Sequence, residues 1–273
     1  MTLPDDFIFS QTSLGDYADC ARRFELKYLL EQRYPAPVVA EQLEFERRTE
    51  QGARFHHLIH QHQVGIPPDK LTRHLDDDQL AAWFGLYLRG GLADLPQARY
   101  PEITLTVPLG DYALTAKFDL LAVDPGGRAV IVDWKTGGRV PRADALAGRM
   151  QTVVYRYVLA QGGAHLYGGS PIPPERIEMR YWYAQGGESI RLPYDAESFA
   201  RDEAELLRLA AEIDARADFP LTSEVRRCAF CIYRALCDRG DQAGSLGEWD
   251  GEGESDDLSG FTLDIEQIAE IAF

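Results

Sequence analysis

A seven-residue run constrains this chain more than any other part of it. Ala129-Val130-Ile131-Val132 is an unbroken apolar stretch of the kind that fills buried strands, and it leads straight into Asp133-Trp134-Lys135. A carboxylate at the mouth of a buried strand costs free energy unless it is paired or holds a metal ion. Other elements must cover this strand, and something must answer the charge at its end.

The flanking pattern supplies the cover. Residues 102–107 alternate in the β fashion, and Tyr112–Val123 is a second strand long enough to bend, with Asp111 helping the turn between them. Asp124, Pro125, Gly126 and Gly127 have turn chemistry, so the three strands read as a meander. Before them, helical spacing covers residues 10–30, with Ser13 as the cap, then 41–63 and 76–93. After them come a helix over 143–161, strands over 176–184 and 189–192 joined across Gln185 to Gly187, and an amphipathic helix over 195–216. No internal repeat is visible.

At 273 residues, 45% hydrophobic and 11% aromatic, the chain suits one large domain or two small ones with a real core. No stretch approaches the ~20 apolar residues that span a bilayer. Residues 1–9 carry Asp5 and Asp6 and no basic lead, so no signal peptide is expected. The expected location is cytoplasmic, with no membrane partner, and there cysteines serve as metal ligands more often than as disulfides. A net charge of −16 argues against a nucleic-acid partner, but its distribution weakens the argument. Residues 238–273 hold eleven acids against Arg239 alone, which leaves −6 on the rest. A local basic face remains open to the bulk of the chain. We expect one domain over residues 1–240, its helical part at about 31–100, and an acidic linker and tail over 241–273. Within that tail Ile265, Ile268 and Ala272 suit one helix face, which fits partner docking, self-docking in the chain's own binding channel, or a solvated tail.

Asp119 and Asp133 fall near the ends of two neighbouring strands, and alternation puts Lys135 on the same side as Asp133. Two carboxylates and a lysine in one cleft can cleave a phosphodiester. The carboxylates would hold Mg²⁺ or Mn²⁺, and the lysine would position water or neutralise charge on phosphorus. Taken alone, Asp-x-Lys also describes a solvated strand end. Gly137 and Gly138 then let the backbone turn away, and Gln151 and Tyr155 follow at i, i+4 on one helix face. There they could bond a lysine, a phosphate or a base, or form a satisfied surface pair. His56, His57, His60 and His62 cluster, but no Glu follows His56 as a zinc protease helix needs. His57, His60 and His62 are expected to be exposed. Cys228, Cys231 and Cys237 form C-x₂-C-x₅-C, with Cys20 far upstream. Four thiolates can hold zinc or an iron–sulfur cluster, though a zinc ribbon would present two nearby pairs. Arg22, Arg23, Arg226, Arg227 and Arg234 flank them, to bind DNA or to offset charge.

The runs Ala116-Lys117-Phe118-Asp119, Ile131-Val132-Asp133-Trp134-Lys135-Thr136-Gly137 and Gln151-Thr152-Val153-Val154-Tyr155 together resemble the PD-(D/E)XK nuclease superfamily, and more narrowly its RecB-like branch. Gly52-Ala53-Arg54-Phe55-His56 is similar to that branch's Gly-xxx-His motif. Residues 13–24 resemble its opening segment, with Ala21 where proline is usual. The resemblance implies an α/β restriction-endonuclease-like core, a central mixed sheet flanked by helices, with an N-terminal helical region. It implies His56, Asp119 and Asp133 as metal ligands, and Asp119, Asp133, Lys135, Gln151 and Tyr155 as catalytic residues. The spacing of Cys20, Cys228, Cys231 and Cys237 resembles the iron–sulfur members, the AddB nuclease domain and the CRISPR-associated RecB-like exonucleases. In those a four-iron four-sulfur cluster joins the two chain ends.

The expected function is therefore a metal-dependent DNA nuclease, an exonuclease on ends or single strands, in DNA repair or CRISPR adaptation. RNA cleavage or endonuclease action on branched substrates compete with it. The alternative from another class is a cluster-stabilised DNA-binding subunit acting through a partner helicase or CRISPR integrase. Lys135-Thr136-Gly137 has the wrong order for a Walker loop, so unwinding would have to come from such a partner. A pure redox sensor would leave the Asp–Asp–Lys set unexplained.

Overall fold

Six strands form one mixed sheet in the computed structural model, which describes residues 3–32, 42–73, 75–229 and 231–240. They are β1 (Ile8–Phe9), β2 (Ala98–Leu109), β3 (Tyr112–Val123), β4 (Ala129–Lys135), β5 (Ile177–Tyr183) and β6 (Glu188–Pro193). β2 lines one edge of β3 along its whole length, antiparallel from Ala98↔Val123 to Leu109↔Tyr112. The other edge of β3 is shared. β1 pairs with it in parallel at Ala113 and Leu114, and β4 pairs antiparallel at residues 120–123. β4 then runs parallel to β5, which forms a hairpin with β6.

The helices are α1 (Gln11–Asp19), α2 (Ala21–Phe24), α3 (Gln42–Gln63), α4 (Pro68–Thr72), α5 (Asp78–Leu86), α6 (Ala143–Ala147), α7 (Met150–Gly162) and α8 (Ala196–Asp214). Helices cover both sheet faces, so the chain is α/β with a mixed sheet flanked by helices, as expected. Strand alternation divides β4 between two cores. Ala129 and Ile131 join the larger one, with Leu14, Phe24, Val154, Val158 and Leu206. Val130, Val132 and Trp134 join the smaller one, with Phe55, Trp83, Phe84, Tyr87 and Trp182. Every residue of β4 is buried, as its apolar run requires. No helix among the described residues is long and apolar enough to cross a membrane.

Several boundaries differ from the sequence pattern. Ser10, not Ser13, caps α1, and the two serines bond reciprocally as a capping box. The helix expected over 10–30 breaks at Cys20, whose backbone is extended. There the Arg22 N–H donates to the Pro220 carbonyl, which seats the end of the domain on its beginning. The helix expected over 143–161 breaks at Gly148 and Arg149. The helix expected over 76–93 keeps its length only by loosening into a π turn over Tyr87–Gly91. The acidic linker and tail expected over 241–273, with its helix face at Ile265, Ile268 and Ala272, lies outside the described residues.

Candidate active site

β4 leaves β3 where the site begins. Leu120↔Val132 is the last rung between them. Beyond it the Trp134 N–H donates to Asp119 Oδ2 at 2.9 Å, so a side chain takes the place of the missing rung. The β2–β3 ladder also skips a rung here, between Pro101↔Leu120 and Ile103↔Phe118. Glu102, opposite Asp119, has a left-handed φ of 53°. Across this point β3 turns over: Leu114, Ala116 and Phe118 face the larger core, whereas Leu120 and Ala122 face the smaller. Asp119 therefore sits inside β3, not near its end as the sequence suggested. The local twist leaves its carboxylate at the edge that β4 has vacated.

Asp133, Lys135 and Gln151 close a triangle. Lys135 Nζ lies 3.1 Å from Asp133 Oδ2 and donates to Gln151 Oε1 at 3.1 Å, and Gln151 Nε2 donates to Asp133 Oδ1 at 2.8 Å. This pattern sets the amide, since the flipped form would oppose oxygen to carboxylate and nitrogen to ammonium. Burial pushes the Asp133 carboxyl above the usual range, with Lys135 pulling it back. Its Oδ2 atom is buried and makes no hydrogen bond of good geometry. His56 Nδ1 lies 3.5 Å from Asp119 Oδ2. Burial works against the His56 imidazolium, but the Asp119 carboxylate outweighs it and holds the group up at about 9. Side-chain exposure falls from 34% at His56 and 19% at Asp119 to 5% at Asp133 and 10% at Lys135. Solvent therefore reaches the group from the His56–Asp119 side.

A glycine brings α3 close enough for this. A Cβ on Gly52 would meet Thr136 Oγ1, just past β4, at 3.1 Å. One turn later Phe55 stacks on Trp182 in the smaller core, and His56 beside it reaches Asp119. Gly52→Val is expected to push α3 off the β4 exit and cost about 1–3 kcal/mol. Thermal melting and the loss of cleavage would follow together; an unshifted melting temperature would refute the close-approach argument.

Of the residues expected at the site, His56, Asp119, Asp133, Lys135 and Gln151 come together. Tyr155 lies one turn below Gln151, its ring packed at 4.9 Å on Phe118 in the larger core. His57 is exposed, but His62 corrects the expectation for its neighbours. Its Nδ1 lies 2.8 Å from the Tyr87 hydroxyl, and its ring packs on Phe84 and Tyr87. Sequence reasoning missed Tyr181, whose ring lies 5.6 Å under the Lys135 ammonium. Its signal is the cross-strand register Asp133↔Tyr181, which no single strand's alternation reveals.

All four cysteines, Cys20, Cys228, Cys231 and Cys237, line a second cavity with Arg23, Arg227 and Arg234. Each flanking arginine has a partner within the chain, although the Arg226 side chain stays 86% exposed. Arg23 pairs with Asp16 and Asp19, Arg227 with Asp19 and Glu224, Arg22 with Glu25, and Arg226 with Glu224. Arg234 donates to the carbonyls of Ala229 and Arg239. As the side chains stand, no three His, Cys, Asp or Glu among the described residues are gathered so as to hold a metal ion.

The family model of the PD-(D/E)XK nuclease superfamily matches residues 8–238. Among solved structures, a protein from Eubacterium rectale named as a candidate exonuclease superposes with a TM-score of 0.50 at 9% identity, over 80% of this chain and 85% of that one. SSO0001 superposes over 86% of this chain and 87% of that one, with a TM-score of 0.43 and 14% identity. No curated protein matches the chain.

Proposed function

The chain belongs to the PD-(D/E)XK nuclease superfamily, and from that premise we propose that it is a Mg²⁺- or Mn²⁺-dependent DNA nuclease of the RecB-like branch, an exonuclease on ends or single strands. The observation that carries the metal reading is the placing of two carboxylates and an imidazole side by side, where Asp119 and His56 both act on the buried Asp133 and Lys135 is the one partner of its Oδ2 atom among the described residues. Such oxygen and nitrogen donors suit Mg²⁺ or Mn²⁺. His56, Asp119 and Asp133 would hold the ion after side-chain adjustment, since as they stand the three are not gathered so as to hold a metal ion; the ion would polarise the phosphate and lower the pKa of a bound water. Lys135 brings a fixed positive charge next to that point, to orient the attacking water and offset charge developing on phosphorus. Gln151 holds the ammonium at its place. Tyr155 supports the helix turn below, through its ring on Phe118.

The test uses purified protein with Mn²⁺ or Mg²⁺ and end-labelled DNA, single- and double-stranded. Metal-dependent shortening from an end, abolished by a chelator, is expected. Cleavage of a circular single strand would overturn the exonuclease assignment, and no cleavage of any strand would overturn the DNA-nuclease reading.

We further propose that the four cysteines hold a four-iron four-sulfur cluster. Support comes from all four cysteines lining one cavity and from their one-plus-three spacing along the chain. The cavity also joins α1 and α2 to residues 228–237, the two ends of the matched domain. Protein isolated without oxygen should carry about four irons per chain. Cys228→Ser should lose the iron and lower the melting temperature, since a long closed loop is released. Stoichiometric zinc in colourless protein would refute the cluster. A helicase or integrase partner, and a place in DNA repair or CRISPR adaptation, belong to the same proposal; co-purification with such a partner tests them.

A further inference from the structure

The triangle of Asp133, Lys135 and Gln151 rests on two side chains that have no assigned part in the reaction. α7 begins without a side-chain cap, because Arg149 at its N-cap position makes no capping bond. Gln151 is the second residue of that helix, in the turn whose N–H groups have no intrahelical partner. What ties the turn down is Thr152. Its hydroxyl lies 2.6 Å from the Leu146 carbonyl, across the break from α6. A carbonyl only accepts, so the Thr152 proton goes there and its lone pairs remain for a donor. That donor is the Tyr181 hydroxyl at 2.8 Å, on β5. The relay from Leu146 through Thr152 to Tyr181 thus pins the start of α7 to the sheet beside Asp133. Tyr181 contributes again through its ring, whose face lies under Lys135 Nζ within cation–π reach. Its hydroxyl is 3.5 Å from Gln151 Oε1, closing the space behind the amide.

We propose that Tyr181 and Thr152 form a positioning pair for phosphodiester cleavage, the tyrosine ring seating the Lys135 ammonium and the hydroxyl relay seating Gln151. The proposal rests on the nuclease reading above. Tyr181 is fully buried, so it acts through Lys135 and Gln151 and does not touch DNA. Burial also holds its phenol well above the usual range, which keeps it a neutral donor.

The chain has four lysines, Lys27, Lys70, Lys117 and Lys135, so the full-length protein labelled at the lysine ε-carbon gives a spectrum simple enough to read. The Lys135 signal, identified by its loss in Lys135→Arg, should be shifted upfield by the ring. Tyr181→Leu should abolish that shift and Tyr181→Phe should keep it. In the Mn²⁺ cleavage assay Tyr181→Leu should lower kcat about tenfold with little change in KM, the size of a desolvated cation–π contact. Tyr181→Phe and Thr152→Val should each lower kcat severalfold. Their combination should be no worse than the worse single change, because both break one relay. An unshifted Lys135 signal, a loss expressed in KM alone, or additive effects in the pair would overturn the proposal. Should Tyr181→Leu fail to fold, the Tyr181→Phe and Thr152→Val pair still decides it. A wild-type protein that cleaves nothing overturns the nuclease reading instead, while the Lys135 shift still reports whether the ring contact exists.

Discussion

Lys135→Ala is expected to lower the rate of DNA cleavage by about 10²–10³, the usual cost of losing a positioned electrostatic group at a reacting centre. The geometry makes the loss specific. The ammonium is held by Asp133 Oδ2 and Gln151 Oε1, both at 3.1 Å, over the Tyr181 ring, so a flexible surface lysine cannot replace it. Its removal also takes away the charge that pulls the buried Asp133 carboxyl back toward its usual range, which favours the protonated acid. Lys135→Arg should not rescue, because the planar fork does not fit a pocket shaped around a point charge. Single-turnover cleavage in Mn²⁺, with a melting curve for each variant, checks this. Cleavage at the wild-type rate by Lys135→Ala would remove Lys135 from the mechanism.

The largest effect on stability should come from a pair far less visible in the sequence. Arg156 and Asp202 are 3% and 4% exposed, and Arg156 Nη2 lies 3.0 Å from Asp202 Oδ2 between α7 and α8. The guanidinium also lies over the Tyr194 ring at 4.5 Å. Asp202→Ala strands a buried cation, a change that costs about 3–5 kcal/mol. For a domain of this size that lowers the melting temperature by about 10 °C. Replacing both partners with apolar residues, as in Arg156→Met with Asp202→Leu, should recover most of the loss, since the charges themselves add little net stability. Urea unfolding separates the outcomes. A single variant as stable as the wild type would show that Arg156 finds another partner.

The sequence patterns show why one kind of feature was legible and another was not. β4 announced itself because a strand buried on both faces needs apolar residues at every position, and the 129–132 run has them. The triangle was legible in part, because Asp133 and Lys135 share a face by alternation and Gln151 follows on a helix. Both helix breaks were missed for one reason: they are imposed by contacts distant in sequence. Cys20 is extended where the Pro220 segment docks, and the break at Gly148 is bridged by Thr152 and Tyr181. His62 looked like a surface residue because Tyr87, its partner, lies on another helix segment. Arg156 and Asp202 carry no local signal of burial, since each is ordinary on an amphipathic helix until the two helices meet.

The bond from the Trp134 N–H to Asp119 has a practical consequence for trapping a DNA complex. Asp119 serves the backbone as well as the reaction, because its carboxylate stands in for a sheet rung at the point where two strands part. Truncating it removes a proposed metal donor and a main-chain acceptor at once. A dead Asp119→Ala protein would then report a disturbed strand as readily as a missing ligand. Lys135 makes no such contribution to the ladder through its side chain, so an inactive Lys135→Met protein is the better bait: the strand junction stays intact while the step that destroys the substrate stalls.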